Sequence, residues 1–499
     1  MALFGVYERG SSQLAWPASG VSRGQALAAS TSWGPAIDMR RLLKAAGLAS
    51  ILALWVCLPI RVQAVAEQKN IVLVSHNDLN GHGDGGEGMA IQQRPDGRRI
   101  LYLAHEGEKT CLSILDVTHP ENPVLLNQIP SPAPDITRCN SLGLSSNTLA
   151  VANQTAKQGQ KTAGMWVLDV SDLDRVKKAR SLQDLALSFF DTSGPHSRGV
   201  HWLWFVDGQF AHLSTGMPDF EPTNPKDDQI YVIVDLRDAR HPREAGRWWF
   251  PGTRKSDSCL PGCLPARHKI DDGYRLHSVE IYPERPDRAF LGYIDGGQII
   301  LDISGLADVQ AGRAGTFSPK TISILEFSPP FTAWTHTVQP LFDRGLAIDS
   351  DEAVMDKCAD APKLVWVVDI RAEKHPVIVG TAPLPDNAAE LCKEGGRFGA
   401  HNLHPSFPSP TSMKLKNTFV ASWFNGGLRI FRLVDTGFPH APPRIVEIGF
   451  WDPPGPPGNP GHAIQINHAI VDEHGLIYAN DRFTGGLYIL KYTGSEPLD

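Results

Sequence analysis

SILDV (113–117), WVLDV (166–170), VIVDL (232–236), IILDI (299–303) and WVVDI (366–370) are copies of one another. IFRL (430–433) and YILKY (488–492) are weaker versions. The aligned positions are Asp116, Asp169, Asp235, Asp302, Asp369, Arg432 and Lys491, spaced 53 to 67 residues apart. Each copy is apolar and β-branched, the pattern of a strand buried on both faces. Turn-rich segments follow several of them: HPENPVLL (119–126), HPREAG (241–246), HPVIVG (375–380) and PPRIVEIG (442–449). Pro and Asn there mark a hairpin leading to another strand. Two further strand-like runs precede each copy, as in RRILYLAHEG (98–107) and RAFLGYIDGG (288–297). Four strands per repeat make a propeller blade. The fold class expected is therefore all-β, a single seven-bladed β-propeller.

The last copy, YILKY, ends close to the C-terminus and lacks a fourth strand of its own. NIVLVSHND (70–78) resembles the fourth strands elsewhere and is expected to pair into the last blade. That pairing would cover two strand edges otherwise open to aggregation.

Upstream, residues 1–38 show no apolar periodicity and read as a non-native or disordered extension. Met39 opens a stretch with Arg40, Arg41 and Lys44, an apolar run from Ala45 to Ile60, and Ala64-Val65-Ala66 as a small-x-small cleavage site. Residues 39–66 read as a signal peptide, because the apolar run is shorter than the roughly 20 residues that span a bilayer. The propeller then occupies 67–499, the chain is expected to be periplasmic or secreted, and no stable membrane anchor is expected.

Without Cys57 of the apolar run, six cysteines remain: Cys111, Cys139, Cys259, Cys263, Cys358 and Cys392. An even number in an oxidising compartment permits disulfides. Cys259 with Cys263, and Cys358 with Cys392, are candidate pairs, though the sequence does not fix the connectivity. A net charge of −7 with no basic run excludes nucleic acid as a partner, which needs clustered Lys and Arg. The partner expected is a small-molecule substrate; the sequence says nothing of oligomeric state.

The repeated apolar-apolar-apolar-Asp-apolar strand with its Pro-bearing turn resembles the LVIVD-repeat family of β-propellers, over nearly all of residues 67–499. More distantly the chain is similar to the selenium-binding protein and methanethiol oxidase group, which are propellers associated with copper, although no signature of that group matches residue by residue.

Aligning the blades at their first strands gives GMAIQQ, CNSLGL, VHWLWF, LHSVEI, THTVQP, AHNLHP and NHAIVD. One register position then holds Met89, Asn140, His201, His277, His336, His401 and His468. Histidine makes up only 18 of 499 residues, so five in seven aligned places is not a composition effect. First strands line a propeller's central channel, so His201, His277, His336, His401 and His468 are the candidate metal ligands. A histidine kept for blade-to-blade hydrogen bonding is the competing structural reading.

Glu87, Arg138 and Arg275 lie two residues before that position and are the candidate catalytic residues at the channel mouth. Arg138 and Arg275 could clamp an anion or simply pair with neighbouring acids. His82, with Asp84 in a Gly-rich loop, and His196 are placed near the same mouth. His119, His241, His375 and His440 fall in surface turns, and His404 faces away from His401. Nothing resembles a Ser nucleophile elbow or a nucleotide loop. Imidazole ligation leaves copper-dependent oxidation of a small, sulfur-containing substrate as the first expectation. Iron-dependent oxygenation and zinc- or manganese-assisted hydrolysis or lyase chemistry are alternatives. A non-enzymatic binding or scaffold propeller is the reading from another class.

Overall fold

The five apolar-Asp runs are the third strands of five antiparallel sheets, ending Thr110–Asp116, Gly164–Asp169, Ile230–Asp235, Gly297–Asp302 and Val365–Asp369. Their repeated aspartate has a local cause. The carboxylate of Asp116 accepts from the N–H of Thr118 at 3.0 Å, Asp169 from Ser171 at 2.9 Å, and Asp235 from Arg237 at 3.0 Å. Asp302 accepts from Ser304 and Asp369 from Arg371, both at 2.9 Å. Five identical Asx turns thus reverse the chain into the outer strand.

The computed structural model describes residues 67–107, 109–257, 272–327, 331, 334–360, 362–438 and 441–499. The extension and signal peptide expected over 1–66, the Cys259–Cys263 pair and His440 lie outside the described residues. Seven sheets follow one another along the chain, six of four strands and one of five, making a seven-bladed β-propeller. No helix among the described residues is long and apolar enough to cross a membrane.

Closure happens as the repeats imply, with an addition. Ile71–Asn77 pairs antiparallel with Leu487–Tyr492, so the N-terminal strand completes the seventh blade. The short Glu67–Lys69 strand goes further and pairs with Arg444–Asp452 at the edge of the sixth blade. Its polar EQK sequence carries no strand signature; pairing with an open edge makes it a strand. Residues 67–77 therefore join the last two blades.

Disulfides add covalent ties. Cys358 bonds to Cys392, one of the pairs the sequence suggested, and Cys111 bonds to Cys139, joining the first blade to the start of the second. Both fit an oxidising environment.

The inner strands carry the feature that builds the site. Val200 faces Thr215 and Trp202 faces Ser214, leaving His201 unopposed in a bulge. His277 stands the same way between Leu276 and Ser278, and His336 between Thr335 and Thr337. In the sixth blade the inner strand is short, with Leu403 bridging Ala421 and the His401 N–H bonded to Ser422 O at 3.1 Å. A bulge re-aims a side chain out of the pleat, here toward the axis. Side chains of the preceding blade hold these segments: Ser278 Oγ bonds His336 O at 2.6 Å, Ser422 Oγ bonds Asn467 O at 2.9 Å, and Ser350 Oγ bonds His401 O. Asn480 Nδ2 bonds Gly86 O at 2.8 Å and closes the ring from last blade to first.

At the other end of the inner strands, Trp204 packs on Phe407 at 5.0 Å and on Tyr282 at 5.3 Å between ring centroids. This aromatic plug closes that end of the channel with apolar surface.

Candidate metal centre

Four of the five aligned histidines meet at the axis. Ring centroids are 4.6 Å apart for His201 and His277, 3.6 Å for His277 and His336, and 4.3 Å for His336 and His401. His468 does not join them. In the seventh blade the bulge falls on Asn467, because Ile466 faces Asp481 and His468 faces Asn480. His468 thus sits one residue past the axial position. It is buried with both ring nitrogens unpartnered, and burial followed by His404 and His336 pushes its basicity down to about 3.

The first blade departs in the same manner. Gly85 faces His105 and Met89 faces Leu103, so Gly86, Glu87 and Gly88 form an enlarged bulge. Met89 is buried in an apolar cluster, and Glu87 takes the axial place. The flanking glycines are obligatory: a Cβ at Gly86 would lie 2.5 Å from Asn140 O, and one at Gly88 2.3 Å from Leu142 N. Glu87 is accordingly not a residue of the rim but part of the histidine cluster. Its Oε2 lies 3.6 Å from Nε2 of both His277 and His336, and its Oε1 lies 3.7 Å from His401 Nε2. Glu352, which the sequence reading did not single out, adds a second carboxylate 3.6 Å from His401 Nε2 and 4.0 Å from His336 Nε2. Asn140, on the axis in the second blade, is fully buried with both amide atoms unpartnered.

Three sets of donor atoms lie within 4.8 Å of one another: Glu87, His201 and His277; Glu87, His336 and His401; His277, His336 and Glu352. Each contains two histidines and one glutamate. Two ligands about 2.1 Å from a tetrahedral ion stand about 3.4 Å apart, so separations of 3.6–3.7 Å need only a small inward shift to hold one. The donor atoms also lack any other use. Glu87 Oε2, His336 Nε2 and His401 Nε2 are buried without a hydrogen-bond partner among the described residues. Facing acceptors repel, and each unsatisfied buried group costs roughly 1–3 kcal/mol, which a cation removes. The buried groups can hold a metal ion.

The imidazoles are prepared for ligation. His401 Nδ1 donates to Asn467 O at 2.7 Å and His201 Nδ1 to Gln154 Oε1 at 3.0 Å, which leaves each Nε2 as a lone pair. Burial first, then neighbouring arginines and histidines, holds His201, His277 and His401 well below the usual imidazole range, so they stay neutral. His201 Nε2 and His277 Nε2 are 2.8 Å apart, a spacing that requires a proton or ion between them.

Above the cluster is a cavity of about 290 Å³ whose walls include Arg138, Arg198, Arg275, Arg397 and Arg482. The expected rim residues are there: Arg138 pairs with Glu106 at 2.5 Å, while Arg275 stacks 5.5 Å over Trp334. Arg482 shares Glu106 at 2.5 Å, Arg397 pairs with Glu352 at 2.8 Å, and Arg198 pairs with Asp228 at 2.5 Å. Burial would raise the Glu106 carboxyl, but Arg482 and Arg138 together hold it below the usual range. Glu106, Glu352 and Arg482 each follow the end of a second strand, in AHEG, DSDE and ANDR, a repeated polar ending legible in the sequence.

The remaining histidines sort by position. His119, His241 and His375 are exposed, His82 is exposed and His196 half-exposed 3.8 Å from Glu221. His404 is turned from the axis and bonds Met413 O at 2.7 Å. Asp84 is engaged by His105 at 2.7 Å.

No protein-family model and no curated protein matches the chain. Solved structures that resemble it include the β-propeller domain of Cps50 (Swd1) from Myceliophteria thermophila, with 13% identity and a TM-score of 0.47, covering 85% of this chain and 99% of that one. A chain of the Mitotic Checkpoint Complex matches at 10% identity and a TM-score of 0.45, covering 85% of this chain and 94% of that one. Both are similar in fold only.

Proposed function

We propose that the chain is an exported metal-dependent oxidoreductase whose centre is the axial histidine–glutamate cluster and whose substrate is a small molecule admitted through the arginine-lined cavity. The observation that carries this reading is the convergence of three buried, unpartnered acceptors, Glu87 Oε2, His336 Nε2 and His401 Nε2, on one volume. Sets of two histidines and one carboxylate suit non-haem iron, which puts iron first among the metals. Copper is the second reading, supported by the excess of imidazoles over carboxylates and by the resemblance to the methanethiol oxidase group. Zinc fits the same atoms but would confine the chemistry to polarising a substrate.

A redox-active ion bound there supplies one-electron chemistry. The protein's own residues do the rest. Asn467 O and Gln154 fix the ring orientation of His401 and His201. The plug of Trp204, Tyr282 and Phe407 keeps water from the far end of the channel. Guanidinium–carboxylate pairs hold the wall of the cavity in place.

The test is metal analysis of the mature chain isolated from the periplasm, alongside His277→Ala, His336→Ala and His401→Ala variants. Oxygen uptake is then followed with thiols and small carboxylates. Stoichiometric iron or copper that is lost in the variants, with turnover, is the expected result. Metal without turnover of any substrate points to a carrier. No metal in protein grown and dialysed with each ion in turn overturns the proposal and leaves a scaffold.

A further inference from the structure

Three hydrogen-bond donors on successive blades have no acceptor among the described residues, and they line the same cavity above the cluster. Gln229 is only 3% exposed, yet its Nε2 has no partner. Its backbone carbonyl takes the Leu276 N–H at 3.0 Å, which fixes it against the residue that follows Arg275. The buried indole N–H of Trp334 is also unpartnered. Arg275 forms no ion pair with a carboxylate among the described residues, while Arg138, Arg198, Arg397 and Arg482 each have one. Its guanidinium rests over the Trp334 ring instead.

Leaving one cation and two neutral donors unsatisfied at a cavity wall is costly unless something else accepts from them. The missing acceptor has a definable chemistry. The one cavity guanidinium without a carboxylate in direct contact among the described residues matches one negative charge, and its planar fork matches a planar oxyanion. A phosphate dianion would call for a second free cation. We propose that Gln229, Arg275 and Trp334 bind the carboxylate group of a small monocarboxylate. This rests on the reading of the cavity as a substrate site and names the class of that substrate.

The position is consistent with chemistry at the axis. Arg275 stands immediately before the strand Leu276–Glu280 and two residues before His277, a backbone span of at most roughly 7 Å. A carboxylate held by Arg275 therefore places the carbon atoms next to it over the histidine–glutamate cluster. The cavity of about 290 Å³ suits a compact organic acid.

Calorimetric titration of the mature chain with acetate, glyoxylate and benzoate tests this, with acetamide, benzamide and inorganic phosphate as comparators. Each titration is run on metal-loaded and on chelator-treated protein. The expected result is binding of at least one carboxylate and none of its amide. Arg275→Met should weaken that binding roughly 10- to 100-fold, as for loss of a charge-assisted pair. Trp334→Phe, which removes only an N–H and keeps the ring, should weaken it several-fold. Metal content should be unchanged in both variants. Carboxylate binding that ignores both variants overturns the proposal, as does phosphate binding more tightly than every carboxylate, or no binding at all. Failure of the metal reading shows separately: chelator-treated protein would then keep its Arg275-dependent carboxylate affinity while metal analysis finds nothing.

Discussion

Glu87 Oε2 lies 3.6 Å from His336 Nε2, and neither atom has a hydrogen-bond partner. Two buried acceptors at that distance oppose each other until a cation or proton lies between them. The first blade thus supplies a carboxylate at a point where the fourth, fifth and sixth supply imidazoles, through a strand bulged one residue further than the rest.

Glu87→Gln should keep the shape of the site and remove its shared charge. The expected outcome is metal affinity lowered at least about tenfold, by competition with a chelator, with folding unchanged. Because Glu87 belongs to two of the three donor sets, its loss should cost more than loss of Glu352, which belongs to one.

Metal binding should also stabilise the fold. With free ion at 100 times its Kd, the folded state gains about 2.7 kcal/mol. Thermal unfolding should therefore move to higher temperature with added metal and back with chelator, and the shift should vanish in a chain lacking His336 and His401.

A pH effect should come from Glu280, away from the cluster. Burial pushes its carboxyl up to about 8. Tyr282 Oη contacts both Glu280 and Pro405 O, which accepts at 2.7 Å. The tyrosine hydroxyl donates to Glu280 as well as to Pro405 O, and this opposes only part of the rise that burial causes. The folded state then holds a proton that the unfolded state has released. The contribution of Glu280 to stability should be fully present below about 4.5 and be lost as pH rises toward 8, by a few kcal/mol. Denaturant midpoints corrected for the other groups should slope downward across that range, and Glu280→Gln should make the slope shallower. The Asp351 and Asp452 carboxyls, raised by burial to about 6 and about 7, keep the rest.

Removing the Cys111–Cys139 disulfide, which closes a separation of 28 residues, should cost about 3–4 kcal/mol by the chain-entropy account. A double Cys→Ser variant should unfold at lower denaturant than the parent, and reductant, which also opens Cys358–Cys392, should lower the parent's midpoint further still.

Deleting residues 67–77 should uncover the outer edges of two blades, at Arg444–Asp452 and Leu487–Tyr492. Unpaired edges template association. The truncated chain should aggregate on light scattering at concentrations where the full mature chain does not.

The blades were legible in the sequence because their marker is local. An apolar strand ending in aspartate makes its own turn wherever it stands, as Asp116, Asp169, Asp235, Asp302 and Asp369 do. The histidine face was legible for the same reason: one residue type recurs at one place in consecutive inner strands. Aligning on histidine itself misplaced the two outermost blades. The apolar residue two positions on, Leu203, Val279, Val338 or Leu403, is the better anchor, since it would have put Glu87 and Asn467 on the axis in place of Met89 and His468.

From its own residues, then, the chain dictates seven blades, the closing N-terminal strand and the histidines at one end of the channel. Those depend on short-range pattern and on edges that must be covered. Which side chains meet was decided only in three dimensions. A bulge has no sequence mark of its own, yet one extra residue exchanges the side chain on the axis for its neighbour. Glu352 with Arg397, and Glu106 with Arg482, are joined across 45 and 376 residues by the closing of the ring, which no local pattern encodes.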